Sequence, residues 1–248
     1  MDSQFSRSEI VFGKNATEIL QQKKVAVFGL GGVGGSACEA LARSGIGHFM
    51  LIDADVFSLS NINRQSLADH TTIGRKKTEV MEERIHRINP NATVETLTIF
   101  YLPENASLVD LSRFDYVLDA IDTVKAKIDI ITRAKELSVP IISSLGCGNR
   151  VDPTKIKICD LYETTYDKLG RVLRKLLRKK GVTRLTVVCS EEKPVLPEYD
   201  DETQEERKTV GDRTHPVPGS TSFVPPAAGL AMASYVVREL IGYVPVVR

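Results

Sequence analysis

Arg64, Lys77 and Asp122 could do chemistry together. Arg64 stands in "NINRQ", Lys77 in "GRKKTEV", and Asp122 closes "LDAID". Two cations and a carboxylate gathered at one place suit nucleotidyl transfer. Negative charge accumulates on phosphate as the bond to pyrophosphate breaks, and Arg, Lys and a carboxylate-held magnesium ion (Mg2+) offset it. Asp55, Asn61 and Gln65 lie in the same polar run, "DADVFSLSNINRQ", and join the candidate set.

A second cluster precedes them. In "VAVFGLGGVGG", Gly29, Gly31, Gly32 and Gly34 sit where an apolar run gives way to a helical pattern. Backbone can approach a ligand closely there, and helix N–H groups point at negative charge. The turn implies a phosphate-bearing ligand, and alone it does not choose among NAD, FAD and ATP. Asp53, ending "HFMLID", can accept hydrogen bonds from ribose hydroxyls, which all three ligands carry. The Arg64, Lys77 and Asp122 cluster favours ATP, because hydride transfer needs an apolar nicotinamide slot and has little use for two cations.

The elements that must position these residues alternate. "KVAVF" (24–28) has the short, apolar, β-branched character of a buried parallel strand, residues 33–44 have helical spacing, and "HFMLID" is a second strand. "RKKTEVMEERIHRIN" places Val80, Met81, Ile85 and Ile88 on one helical face. "TVETLTIF" and "FDYVLDAID" follow as strands, "TVKAKIDIITRAKELS" as a helix and "VPIISSLG" as a strand. This rhythm predicts an α/β fold with a doubly wound, Rossmann-like, mainly parallel sheet.

After Gly148 the pattern changes. "KIKICDL" and "TRLTVVCS" read as strands flanking a helix over 166–180, which extends the sheet in mixed orientation. Leu169, Val172, Leu173 and Leu176 are expected to face in, and Arg171, Arg174, Lys175, Arg178 and Lys179 out. Residues 191–219 read as a long, mobile surface loop, and "PPAAGLAMASYVVRELIG" as a closing helix. The chain thus divides into an ATP-binding core, 1–150, and a C-terminal extension, 151–248.

A chain of 248 residues, 42% hydrophobic, can bury a substantial core. A formal charge of +1 gives no global basic field, so nucleic acid would need a local patch. Residues 171–184 supply one, with seven basic residues and no acid; nucleic-acid phosphates, an ordinary solvated face and a membrane surface are its three readings. No secretory signal and no apolar run of about 20 residues is present, which predicts a soluble cytoplasmic protein without membrane attachment. Cys38, Cys147, Cys159 and Cys189 form no C-x-x-C pair, so buried free thiols and no zinc are expected. The four histidines show no metal-ligand spacing.

The motifs "GLGGVGGSACEALARSGIG", "LIDADV", N-x-x-R-Q, Lys77 and "DAID" resemble those of the adenylating enzymes that activate ubiquitin-like and sulfur-carrier proteins. The run from "FSRSEIVFG" through "INRQ" and "RINP" to "GCGNRVDPTKIKICDL" resembles one branch, the tRNA threonylcarbamoyladenosine dehydratases. The resemblance implies that Gly29, Gly31, Gly32 and Gly34 line an ATP site, that Asp53 takes the ribose, that Asn61, Arg64 and Lys77 contact phosphates, and that Asp122 holds magnesium. It further implies a homodimer in which Arg7, in "FSRSEIVFG", reaches the neighbouring subunit's site. The expected reaction is ATP-dependent dehydration of a tRNA nucleoside, and the alternative is adenylation of a carrier protein's C-terminus. Missing C-x-x-C pairs and the basic helix count against that alternative. Ser220, Thr221 and Ser222 stand where some relatives carry a cysteine, which favours chemistry without an enzyme thiol. The sequence leaves open a monovalent cation and a docked sulfur-transfer protein.

Overall fold

The computed structural model describes residues 3–199, 207–210 and 213–245. Two short helices, α1 (Ser6–Phe12) and α2 (Asn15–Gln21), precede the strand-and-helix alternation. The sheet then builds from β1 (Lys24–Phe28), α3 (Gly32–Ser44), β2 (His48–Ile52), α4 (Lys77–Ile88) and β3 (Thr93–Leu97). It continues with β4 (Tyr116–Asp119), α5 (Val124–Glu136), β5 (Ile141–Ser144), β6 (Ile156–Asp160), α6 (Lys168–Lys179) and β7 (Thr186–Ser190).

The seven strands lie in the order β3-β2-β1-β4-β5-β7-β6, all parallel except the β6–β7 pair. The predicted α/β class and mixed extension are therefore observed. Strand order reverses between β1 and β4, and in such sheets ligands settle in the crevice beyond the strand ends at this switch point. Alternation along β1 makes the two layers: Val25 and Val27 pack towards α3 and α4, while Ala26 and Phe28 join the core under α5 and α6. Helix α7 (Val224–Leu240) closes the first layer, with Pro225 and Pro226 in its first turn, where a missing N–H costs nothing.

Two expectations about the C-terminal half are corrected. The stretch 191–219, read as a loop without regular structure, includes two antiparallel strands, β8 (Arg207–Val210) and β9 (Arg213–Pro216); its residues 200–206 and 211–212 lie outside the described residues. In α6, Val172 is 42% exposed, and the buried stripe is Gly170, Leu173 and Leu177 with Leu169 packed beside it. A Cβ on Gly170 would lie 3.0 Å from Leu145 Cδ1, so the missing side chain lets this face of the helix pack closely.

The β1–α3 turn rests on two glycines. Gly29 has φ +88°, a conformation L side chains rarely adopt, and a Cβ there would lie 2.8 Å from the Ala120 carbonyl oxygen. A Cβ on Gly34 would lie 1.8 Å from the Gly29 carbonyl oxygen, so Gly34 permits the first turn of α3 to press on the β1 end. Gly34→Ala is expected to cost at least 2–3 kcal/mol, at about the upper end for overpacking because the obstacle is backbone. A denaturant midpoint unchanged from the parent would refute this.

Candidate functional site

A cleft of about 580 Å³ opens where β1, β2 and β4 end. Gly29, Gly31, Gly32, Asp53, Asp55, Asn61, Arg64, Gln65, Lys77 and Asp122 all line it. Gly34, expected to line it, does not; it is buried in α3 behind the turn, for the packing reason above. Arg7 is exposed on α1 and is not among the lining residues of its own chain's cleft.

Each lining residue is held by an identifiable local cause. The two Asp53 carboxylate oxygens accept from the Leu30 N–H at 2.6 Å and the Asp55 N–H at 2.8 Å, tying the β2 end to the glycine turn. Burial raises the Asp53 pKa, while the Lys77 charge and these two N–H groups work against that rise. Lys77 opens α4; its backbone N–H donates to the Asp55 carbonyl, and its Nζ lies 2.7 Å from Asp55 Oδ2. The lysine side chain is 6% exposed and its direct ion-pair partner 66%, so the sequestered ammonium is paired with a solvent-facing carboxylate while it also acts on the more buried Asp53.

Arg64 follows a short 3-10 turn, Leu59–Asn61, whose Asn61 side chain accepts from the Ser58 N–H. Its guanidinium donates to the Ser60 carbonyl and to Asn63 Oδ1, both at 2.8 Å. Gln65 is buried, and its Oε1 has no hydrogen-bond partner. Buried polar atoms are rarely left so, and Gln65 lines the cleft. The α3 N-cap is Gly31, with no side-chain cap hydrogen bond among the described residues, which leaves N-terminal N–H groups available to an anion at Gly31 and Gly32. Asp122 is exposed in the loop between β4 and α5.

Several functional features escaped the sequence reading. Ile52, Ile99, Phe100, Tyr101 and Ile121 form an apolar wall of the cleft; the run "TIFYL" after β3 was its signal. Beneath the Asp122 loop lies a fully buried cluster. Lys127 Nζ sits 2.9 Å from Asp119 Oδ2, 3.1 Å from Ser143 Oγ and 2.8 Å from the Ser144 carbonyl oxygen. Ser143 Oγ donates to the same Asp119 oxygen at 2.6 Å.

The segment 217–221 lies across the end of the sheet. The Asn63 amide donates to the Ser220 carbonyl at 3.0 Å, Gly219 and Asn149 exchange two hydrogen bonds, and the Thr221 hydroxyl donates to the Arg150 carbonyl at 3.3 Å. Arg150, 2% exposed, in turn binds the Gly146 carbonyl and Asp167. Four thiols occur and none is an activated thiolate: burial raises Cys38 and Cys159, and pushes Cys147 up to about 11 and Cys189 up to about 12.

In α6 the expected outward cations are not equivalent. Arg174 is half-buried and donates to the Leu161 and Thr164 carbonyls and the Thr164 hydroxyl, so it staples the helix rather than facing solvent. Arg171, Lys175, Arg178 and Lys179 are exposed, with Arg178 over the Tyr162 ring at 5.2 Å.

The ThiF family model matches residues 5–247. The chain is 39% identical over 252 aligned residues to the tRNA threonylcarbamoyladenosine dehydratase of Bacillus subtilis, covering 99% of this chain and 97% of that one. Two crystal structures of the Escherichia coli tRNA N6-threonylcarbamoyladenosine dehydratase are similar, both at 32% identity and covering 96% of this chain and 94% of theirs. The complex with AMP superposes with a TM-score of 0.86, and the complex with ATP with 0.83.

Proposed function

Because the chain belongs to the ThiF family, we propose that it catalyses ATP-dependent dehydration of threonylcarbamoyladenosine in tRNA through an acyl-adenylate. The observation that carries this reading is the single cleft that gathers the glycine turn, Asp53, Arg64, Lys77 and Asp122. The orphaned Gln65 oxygen and the uncapped α3 terminus fit a nucleotide. In this reading the apolar wall takes the adenine, Asp53 the ribose, and the glycine turn, Asn61, Arg64 and Lys77 the phosphates.

The threonyl carboxylate of the substrate attacks the α-phosphorus, the bond to pyrophosphate breaks, and an acyl-adenylate forms. The neighbouring ureido group then closes a ring on the activated carbonyl, AMP leaves, and the net change is loss of water. Ring closure is intramolecular and strongly favoured by proximity. The protein's main task is therefore charge stabilisation during adenylation, by the Arg64 guanidinium and the Lys77 ammonium in a partly dehydrated cleft. No group of three or more metal-ligating side chains occurs among the described residues. That suits Mg2+, which is commonly held by one or two carboxylates plus substrate phosphates, with Asp122 as the protein ligand; bound there it would supply Lewis-acid stabilisation of the departing charge.

The reading extends to a homodimer in which Arg7, exposed on α1, reaches the partner's cleft. It also assigns residues 1–150 to nucleotide chemistry and residues 151–248 to the tRNA side. A cytoplasmic location accords with a tRNA substrate, and no helix among the described residues is long and apolar enough to cross a membrane. The decisive experiment incubates the protein with ATP, Mg2+ and tRNA containing the modified adenosine. The expected result is a nucleoside lighter by one water together with AMP. AMP formation with a carrier protein and none with tRNA would transfer the reading to carrier activation.

A further inference from the structure

We infer that the outer face of α6, from Tyr166 at its start to a basic concavity at its end, is the track on which the tRNA backbone lies. This inference rests on the reading that RNA is the substrate. It adds where the RNA sits and which residues outside the cleft hold it.

Three observations carry it. First, the exposed side chains of Arg171, Lys175, Arg178 and Lys179 line one groove of about 470 Å³ with the stapled Arg174, and none of them has an ion pair among the described residues. Other helical surface cations are paired, as Arg43 is with Glu39 and Arg87 with Glu83, whereas here four cations without an ion pair among the described residues share one helical face. Second, the charge continues past the helix. A concavity of about 390 Å³ is lined by Lys135, Lys180 and Arg184 with Thr132 and Thr183, against a single carboxylate, Glu136. Burial lowers the Lys135 pKa and the neighbouring Arg184 charge adds to the fall, against an opposing pull from Asp160. Twelve residues of helix rise about 18 Å, enough to follow several successive phosphates.

Third, the track starts at the end of the sheet that carries the cleft. Asp167 caps α6 by accepting from the Gly170 N–H at 2.6 Å, and it is held by Arg150. Arg150 meets Thr221, and the adjoining Ser220 meets Asn63 beside Arg64. A contact chain thus joins the cleft rim to the helix start. Tyr166, immediately before the cap, is 60% exposed and has φ +52°. A bulky residue in the left-handed region is strained, and here the side chain is left largely open to solvent. An exposed aromatic at the head of a basic groove is what an unstacked RNA base requires.

The test uses the full chain and tRNA carrying threonylcarbamoyladenosine, with affinity read by fluorescence anisotropy across a salt series. R171E/K175E/K179E is expected to weaken binding by about tenfold or more and to flatten the log K against log salt slope by about 2. It should raise KM for tRNA in parallel, whereas the distant Arg87→Glu changes neither. Tyr166→Gly is expected to hold or raise the unfolding temperature while weakening tRNA binding about fivefold or more, a split that a purely structural tyrosine would not give. Unchanged affinity and KM in the triple variant overturn the track, as does loss of binding to phosphatidylserine vesicles without loss of tRNA binding. Failure of the unsubstituted protein to dehydrate tRNA would sink the functional reading instead, and tRNA affinity in the triple variant would still decide the track.

Discussion

Lys77→Ala is expected to fold and to form AMP roughly 10²–10³-fold more slowly than the parent, the range seen when one pre-organised charge donor is removed. The argument is an asymmetry in solvation. Lys77 Nζ is withdrawn from water, and its carboxylate partner Asp55 is largely in it. A buried ammonium is unfavourable without a close, dehydrated anion; the exposed Asp55 supplies little of that, and the more buried Asp53 offsets only part of it. A phosphate entering the cleft would. Removing the amine leaves Asp55 solvated, and Asp53 keeps the Leu30 and Asp55 N–H donors, so the fold should lose little. Single-turnover AMP formation, alongside a thermal melt, checks both halves. Turnover within threefold of the parent would mean that the ammonium does not face the reacting phosphorus. Asp122→Ala should show the same pattern, with the loss reduced by raised Mg2+ if the carboxylate acts through the metal.

The cleft was legible from sequence because its parts are local. The turn, Asp53, the "NINRQ" segment and Lys77 occupy fewer than sixty consecutive positions, and a single strand–helix–strand rule brings them to the sheet end. Asp122 required only the further step that β4 is parallel to β1. What stayed hidden depends on strand order or on close approach. Asp119, Lys127 and Ser143 meet because β4 and β5 are neighbours, and nothing in "DAIDTVKAK" announces that its second lysine points inward. Gly34 looked like a ligand contact because the glycines of such a turn are alike in sequence, and only the distance to the Gly29 carbonyl separates a packing glycine from a lining one. The α6 stripe slipped because Leu176 and Leu177 are both leucines, so periodicity alone could not choose between adjacent faces. The β8–β9 hairpin had a readable signal, Gly211-Asp212 between two residue runs, masked by the charge around it.

Lys127→Ala is expected to destabilise the protein by about 3–5 kcal/mol, the cost of leaving a buried charge without its partner. Both members of the pair are fully buried, so water cannot replace the missing ammonium. Asp119 would retain only the Ser143 hydroxyl and a long contact, 3.4 Å, from the Ile121 N–H. At roughly 2–4 °C per kcal/mol for a chain of this size, the unfolding temperature should fall by about 10 °C. The pair itself contributes much less than this, because two charges had to leave water to form it. Asp119→Leu with Lys127→Met, an apolar pair of similar volume, should therefore recover most of the loss. If the single variant is nearly neutral, the pair is not the buried contact described. If instead the double variant is as unstable as the single, the hydrogen bonds to Ser143 and Ser144, which the double variant cannot restore, outweigh the ion pair. The same variants separate stability from chemistry, since the cluster sits at the root of the Asp122 loop: a double variant that melts normally yet has lost AMP formation would show that Lys127 and Asp119 also set the position of that carboxylate.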